Sequence, residues 1–277
     1  MLLAALLLAS GLFDYDSQLP LAIQESGVET REGIAVHDIS FASLVGARTK
    51  AFLVIPPAAG KCAGALFVHW YEPKSPTSNR TQFLDQAVQL GKSGTLSLLI
   101  ETMWSDPEWF PTRNPDEDLE RSIQQVKELR RALDVLLART RVDPSRIAYV
   151  GHDFGMMFGA VLAGVDKRPT AFALQAGTAS FSEWYLLGRK LDAADRQKVV
   201  EHLSALDPVR YMGSAAPRPV LLQFGKSDHY VPEDKARALY AAAKDPKKIL
   251  WYDAGHELDR QAVEDRMTWL KRQLHLE

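Results

Sequence analysis

Three short stretches hold the residues able to do chemistry. The first reads Gly151-His152-Asp153-Phe154-Gly155, between a short apolar run, Ile147 to Val150, and an apolar helical pattern. A strand that turns sharply into a helix lifts one side chain clear of the backbone, and the flanking glycines let the crowded turn form. This is the layout of a nucleophile elbow. Its central position is usually Ser, and here it is Asp153. The second stretch, Gly225-Lys226-Ser227-Asp228-His229-Tyr230-Val231-Pro232, follows the run Val220 to Phe224. The third, Ala254-Gly255-His256-Glu257, follows the run Ile249 to Tyr252. Their order is nucleophile, acid, histidine. An Asp held in line with a leaving group can attack saturated carbon and form an alkyl ester on the protein. His256 would then activate water, with Asp228 fixing its tautomer. Asp is also a favoured helix N-cap, so a purely structural Asp153 is the competing reading. Asp228 could equally be a turn residue. His152 and His229 are read as hydrogen-bonded structural side chains.

The elements that must position these residues alternate along the chain. Strand-like runs are expected at 33–41, 51–55, 65–69, 96–100, 147–150, 171–174, 220–224 and 249–252. Helical patterns fall at 81–90, 116–140, 154–163, 233–243 and 258–274. Several runs are continuously apolar, as in strands covered on both faces of a parallel sheet. The alternation predicts an α/β, doubly wound, mostly parallel sheet. The first two runs, with no helix between them, predict an antiparallel pair at one edge. Residues 180–212 carry short helical patterns and no strand, and are read as a small helical insertion between the sixth and seventh expected strands. In such a sheet the loops after the strands gather at the carboxyl edge, so residues 153, 228 and 256 converge.

Over residues 33–275 the chain resembles the α/β-hydrolases. Val142-Asp143-Pro144-Ser145-Arg146-Ile147, Leu206-Asp207-Pro208 and Ala216-Pro217-Arg218-Pro219 are similar to the dienelactone hydrolase and acetyl xylan esterase branch. The elbow instead resembles epoxide hydrolases and haloalkane dehalogenases, which use Asp as nucleophile. Phe154 stands where those families commonly carry Trp, and the insertion is small beside their cap. The resemblance implies Asp153 as nucleophile, His256 as base and Asp228 as its orienting acid. It further implies an oxyanion hole from the Phe154 amide and one in the loop after the third expected strand, assigned to Trp70, with Tyr71 as the alternative. Tyr71 or Tyr185 would protonate an epoxide oxygen. Trp104 and Trp109, in a Pro-containing loop with Glu101, and Trp184 and Tyr185, in the insertion with Phe181, are candidate pocket walls; packing of these aromatics into the body is the competing reading. Glu101 is either a second acid or the partner of an Arg.

The main expectation is a cofactor-independent hydrolase of an epoxide or alkyl halide, working through a covalent Asp153 ester. A dienelactone hydrolase-like or acetyl esterase-like ester hydrolase is the alternative, and a non-catalytic protein of this fold is the third reading. An Asp attack on a carboxylic ester would produce a mixed anhydride from a weak nucleophile.

Composition frames these readings. The 277 residues are 46% hydrophobic and 25% charged, ordinary globular values, with room for one substantial core. A net charge of -2 gives no reason to expect nucleic acid. The histidines show no metal-ligand spacing, and the lone Cys62 excludes an internal disulfide. A small-molecule substrate is the expected partner, and oligomeric state is open. The apolar start at residues 1–11 is shorter than the ~20 residues that span a bilayer. It reads as a signal-peptide core without a basic flank, hence possible export, or else as an apolar segment of a cytoplasmic protein; residues 12–277 form the hydrolase-like domain.

Overall fold

The computed structural model describes residues 11–75 and 77–276; the expected signal segment lies almost wholly outside them. Among the described residues nine strands form one mixed sheet: β1 (Gln24–Arg31), β2 (Ile34–Ala42), β3 (Arg48–Ile55), β4 (Cys62–Val68), β5 (Thr95–Ile100), β6 (Val142–His152), β7 (Ala171–Gln175), β8 (Val220–Gly225) and β9 (Lys247–Tyr252), in the order β1-β2-β3-β5-β4-β6-β7-β8-β9. The expected pair at residues 33–55 is antiparallel, as β2 and β3. β3 also runs antiparallel to β5, and the strands from β5 to β9 are parallel to one another.

The main helices are α1 (Leu84–Lys92), α2 (Asp118–Leu137), α3 (Phe154–Val165), α4 (Ala193–Leu203), α5 (Glu233–Ala242) and α6 (Arg260–Gln273). They cover both faces because successive strand side chains point to opposite sides. Leu66 and Val68 of β4 face Leu133 of α2 and Phe158 of α3 in one core layer, while Ala65 and Phe67 join Leu84 of α1 and Leu270 of α6 in the other. The central strands β4, β5, β7 and β8 are buried along their whole length, which accounts for their largely apolar sequences, interrupted by Thr95 and Ser97 of β5, Gln175 of β7 and Gln223 of β8.

Two departures from expectation have local causes. β1, Gln24-Glu25-Ser26-Gly27-Val28-Glu29-Thr30-Arg31, is exposed at every position and is held as an edge by its ladder to β2, so it carries no apolar pattern to recognise. β6 begins at Val142, ahead of Asp143-Pro144, whereas the strand was expected only from Ile147. Its register to β4 shifts between Cys62 and Gly64, which is how a strand accommodates a proline.

β5 lies on one side of β4 and β6 on the other. The chain reverses its winding there, and the loops after β4 and β6 part to leave a crevice at the carboxyl edge. The stretch between β7 and β8 holds α4, which buries little beyond Leu203, and the short helices Phe181–Tyr185 and Pro208–Tyr211.

Candidate active site

Asp153 sits between β6 and α3 with φ 57° and ψ -118°, a backbone conformation that L residues rarely adopt. Packing enforces it. A Cβ on Gly155 would stand 2.2 Å from the Val68 carbonyl oxygen, and one on Gly151 2.3 Å from that of Gly155. The Tyr149 hydroxyl donates to the Gly155 carbonyl at 2.6 Å and ties the turn down. Such strain persists only where the surroundings over-determine it.

The Asp153 side chain does not cap its helix. Oδ2 accepts the Tyr71 amide at 2.9 Å, and Oδ1 is buried with no hydrogen-bond partner. Burial pushes the carboxyl up to about 6, against the opposing pull of His256 and the Tyr71 and Phe154 amides. An unpaired, desolvated carboxylate oxygen is a costly thing to keep in a fold.

His256 and Asp228 are brought together by two crossing loops. A Cβ on Gly225 would meet the carbonyl oxygens of Gly255 at 2.3 Å and Ala254 at 2.4 Å, so only glycine lets the β9 loop pass so close to the end of β8. His256 Nδ1 then lies 2.9 Å from Asp228 Oδ2, whose other oxygen accepts the amides of Tyr230 at 2.8 Å and Val231 at 3.1 Å. That geometry leaves His256 Nε2 as the basic nitrogen. Burial drags the imidazole pKa down, but the Asp228 hydrogen bond and the Asp153 and Asp228 charges outweigh it and hold it above its ordinary value. Asp228 is held below the usual carboxylate range because the His256 contacts and the two amides overcome its burial.

Asp153, Phe154 and His256 line one cavity of about 370 Å³. Trp70, Tyr71, Phe110, Trp184 and Tyr230 wall it, and Glu72, Lys74 and Glu257 stand at its rim. The Trp70 ring stacks on His256 at 6.0 Å and 7°, a position that favours the imidazolium. Tyr230 was missed in the sequence. It is 53% exposed, stacks on Trp184 and meets His256 edge-on at 5.1 Å. Its place two residues after Asp228 was the available signal.

Several expected roles are corrected. The Trp70 amide is engaged by Gln82 Oε1 at 2.8 Å, so the backbone donor facing the site is that of Tyr71, the alternative. Trp104 is a core residue: its Nε1 donates to the His69 carbonyl and its ring stacks on Phe158 at 5.1 Å. Tyr185 is buried, with its hydroxyl 2.8 Å from that of Ser122, and Phe181 is buried beside it. Trp109 packs edge-on against Phe154 and Tyr71, behind the cavity wall rather than on it. The Tyr71 hydroxyl donates to the Pro107 carbonyl at 2.6 Å, so neither tyrosine proposed to protonate an epoxide presents a free hydroxyl. Glu101 lies 3.7 Å from Arg80 and outside this cavity, and His229 is exposed. Among the described residues no group of three or more His, Cys, Asp or Glu side chains could hold a metal ion, and no helix is long and apolar enough to cross a membrane.

No known family profile matches the chain. Among known protein sequences it is similar to the uncharacterized protein YfhR of Escherichia coli (strain K12), 24% identical over 213 residues that cover 71% of this chain and 70% of that one. It is also similar to the uncharacterized protein Rv2307c of Mycobacterium tuberculosis, 30% identical over 144 residues, or 50% of this chain and 46% of that one. Among solved structures, the acetyl xylan esterase from Paenibacillus sp. R4 superposes with a TM-score of 0.76 at 19% identity, covering 96% of this chain and 92% of its own. Acetyl xylan esterase 1 from Thermoanaerobacterium sp. gives 0.73 at 15% identity, over 98% and 93%. A putative dienelactone hydrolase from Klebsiella pneumoniae gives 0.62 at 17% identity, over 92% and 100%.

Proposed function

From the α/β-hydrolase fold, which these superpositions establish, we propose that the chain is a small-molecule hydrolase in which Asp153 is the nucleophile and forms a covalent ester with the substrate's alkyl carbon. The observation that carries this is the unequal state of the two Asp153 oxygens. Oδ2 already occupies the Tyr71 amide, the donor that an acyl substrate's oxyanion would need. Oδ1, buried and unpaired beside the cavity that Asp153 lines, is the oxygen assigned to attack.

In the first step Oδ1 bonds to the substrate carbon as the carbon–leaving group bond breaks, and the leaving group departs with the electron pair. In the second, His256 Nε2 takes a proton from water while the hydroxide attacks Cγ of the ester. The negative charge then forms on Oδ2, where the Tyr71 amide already points and the Phe154 amide is near. Collapse expels the alkoxide, which takes the proton held by His256 and leaves as the alcohol, while the Asp153 carboxyl, now carrying one oxygen from water, gives its proton to solvent or to the oxygen of an opened epoxide. Asp228 holds the imidazole and stabilises its charged form. The aromatic walls suit a small, largely apolar substrate.

A second reading has separate support. The solved structures with this fold named above are acetyl xylan esterases and a putative dienelactone hydrolase. On substrate class they favour a carboxylic ester over an epoxide or halide, and so does the lack of a free tyrosine hydroxyl at the two positions expected to assist epoxide opening. In that reading Asp153 activates water instead of attacking carbon.

One experiment separates them. The protein is run through a single turnover in oxygen-18 water with an epoxide, a haloalkane and an aryl acetate, and the peptide containing Asp153 is weighed by mass spectrometry. Label in Asp153 with unlabelled product is expected of the alkyl-enzyme. Ester turnover that leaves Asp153 unlabelled overturns it in favour of the second reading.

A further inference from the structure

Beside the reacting groups lies a run of hydrogen bonds that neither reading uses. The Trp70 amide donates to Gln82 Oε1 at 2.8 Å, Gln82 Nε2 donates to His152 Nδ1 at 2.7 Å, and His152 Nε2 donates to the His256 backbone carbonyl at 2.9 Å. The direction of every bond is forced. A carbonyl only accepts, so the proton of His152 sits on Nε2. A neutral imidazole then offers Nδ1 as an acceptor, which only the amide nitrogen of Gln82 can fill. This turns Gln82 Oε1 to the Trp70 amide, itself only a donor. No other arrangement satisfies all the groups while His152 is neutral.

The run joins the three loops that carry the site. One end fixes the Trp70-Tyr71 backbone, whose next amide holds Asp153 Oδ2 at 2.9 Å. The other fixes the backbone of His256. The middle is the residue before Asp153, 1% exposed, with rings of Trp70 at 4.9 Å and His256 at 5.3 Å from its own. Three loops on three strands would otherwise drift independently, and misplacement by about 1 Å can cost about a hundredfold in rate.

We propose that Gln82 and His152 are positioning residues that set the Tyr71 amide and the His256 imidazole relative to Asp153 as one unit. This rests on Asp153 and His256 being the reacting pair. The charges around the run favour its neutral form. His152 meets the His256 imidazole and the buried Arg266, and both, together with its burial, disfavour a second proton on it. His256 meets Asp228, Asp153 and Glu257.

The test has a substrate-free arm and a kinetic arm. In the wild-type protein, nitrogen-15 NMR of the histidine rings is expected to show His152 as the Nε2–H tautomer, with no titration between pH 5 and pH 8 (a range of roughly the ordinary histidine transition). An Nδ1–H tautomer, or a titration in that range, overturns the proposal. In the kinetic arm, Gln82→Met, His152→Phe and the double variant are compared on whichever substrate the enzyme turns over. Each single variant is expected to lower kcat at least about tenfold with KM changed less than about twofold, and the double variant to lose no more than the worse single one. The His256 titration in Gln82→Met, read by NMR, is expected to move to lower pH as its grip on Asp228 loosens. Losses that multiply in the double variant, or a lower Tm with the His256 titration unmoved, mean simple packing and overturn it. Because the NMR arm needs no turnover, an unlabelled Asp153 would sink the alkyl-enzyme reading and leave this test standing.

Discussion

Asp153 concentrates the tension between stability and chemistry in a single side chain. Its carboxyl is pushed up to about 6 in the fold, while the unfolded chain binds its proton near the ordinary aspartate value of 3.8. The folded state therefore holds more proton between these values. Stability is lost as pH rises through that window, by about 3 kcal/mol at neutral pH. Asp153→Asn removes the charge and keeps the shape. It is expected to raise Tm at pH 8 and to leave it nearly unchanged at pH 4, in calorimetric scans, while abolishing turnover. Activity runs the opposite way. In the proposed mechanism Asp153 must be ionised to attack and His256 neutral to activate water, so kcat is expected to rise with pH through about 6 and onward through the raised His256 transition. The two groups sense each other, and the limbs of a pH–rate profile belong to the pair. A profile that falls over this range contradicts the assignment. Asp153→Ser offers a sharper contrast, since the shorter side chain frees the Tyr71 amide for a substrate oxyanion. Aryl acetate hydrolysis is expected to increase relative to Asp153→Asn, measured by release of the phenol.

At the scale of elements, the elbow and the crossing loops depend on three close backbone approaches. Gly155→Ala would drive a methyl into the Val68 carbonyl. It is expected to cost about 3 kcal/mol or more, read from urea unfolding, whereas Gly27→Ala on exposed β1, with nothing within 4 Å of the added methyl, is expected to cost far less. The helical insertion contributes little of itself to the cavity. Its Trp184 does line the wall, stacked on Tyr230 from the β8 loop. Trp184→Ala is therefore expected to raise KM severalfold with a smaller effect on kcat, in steady-state assays. The elements also differ in how readable they were. α2 announces itself by apolar residues at helical spacing, and α3 by a run apolar nearly throughout because it is buried on almost every side. β1 is exposed throughout, so burial imposes no apolar pattern on its side chains.

At the scale of the molecule, one buried cation ties the layers together behind the site. Arg266 of α6 is 2% exposed and donates to the side-chain oxygens of Gln86, Gln175 and Gln223, at 3.0, 2.6 and 2.8 Å. These lie in α1, β7 and β8. The Gln175 backbone carbonyl in turn accepts the Asp153 amide at 2.9 Å. Burial pulls the Arg266 pKa down to about 10, still well above neutrality, so the charge remains. Arg266→Met would strand the amide oxygens of Gln175 and Gln223 in the interior. A loss of about 3 kcal/mol is expected in urea unfolding, with the far-ultraviolet dichroism of the folded state unchanged.

The sequence by itself determined the class of fold, since strands buried on both faces must be apolar throughout and the helices that cover them must be amphipathic. It also determined which residues reach the carboxyl edge, because chain order in a parallel sheet dictates where each loop emerges; Asp153, Asp228 and His256 were legible on that ground. Only the tertiary structure decided what each polar atom touches. Trp70 and Tyr71 are neighbours of equal promise in the sequence, yet one amide is spent on Gln82 and the other on Asp153. Trp104 and Trp184 are the same residue type in short helical turns, but one is closed into the core while the other also lines the cavity. Hydrogen bonds are directional and act over about 3 Å, whereas the patterns written in a sequence record only which face is buried.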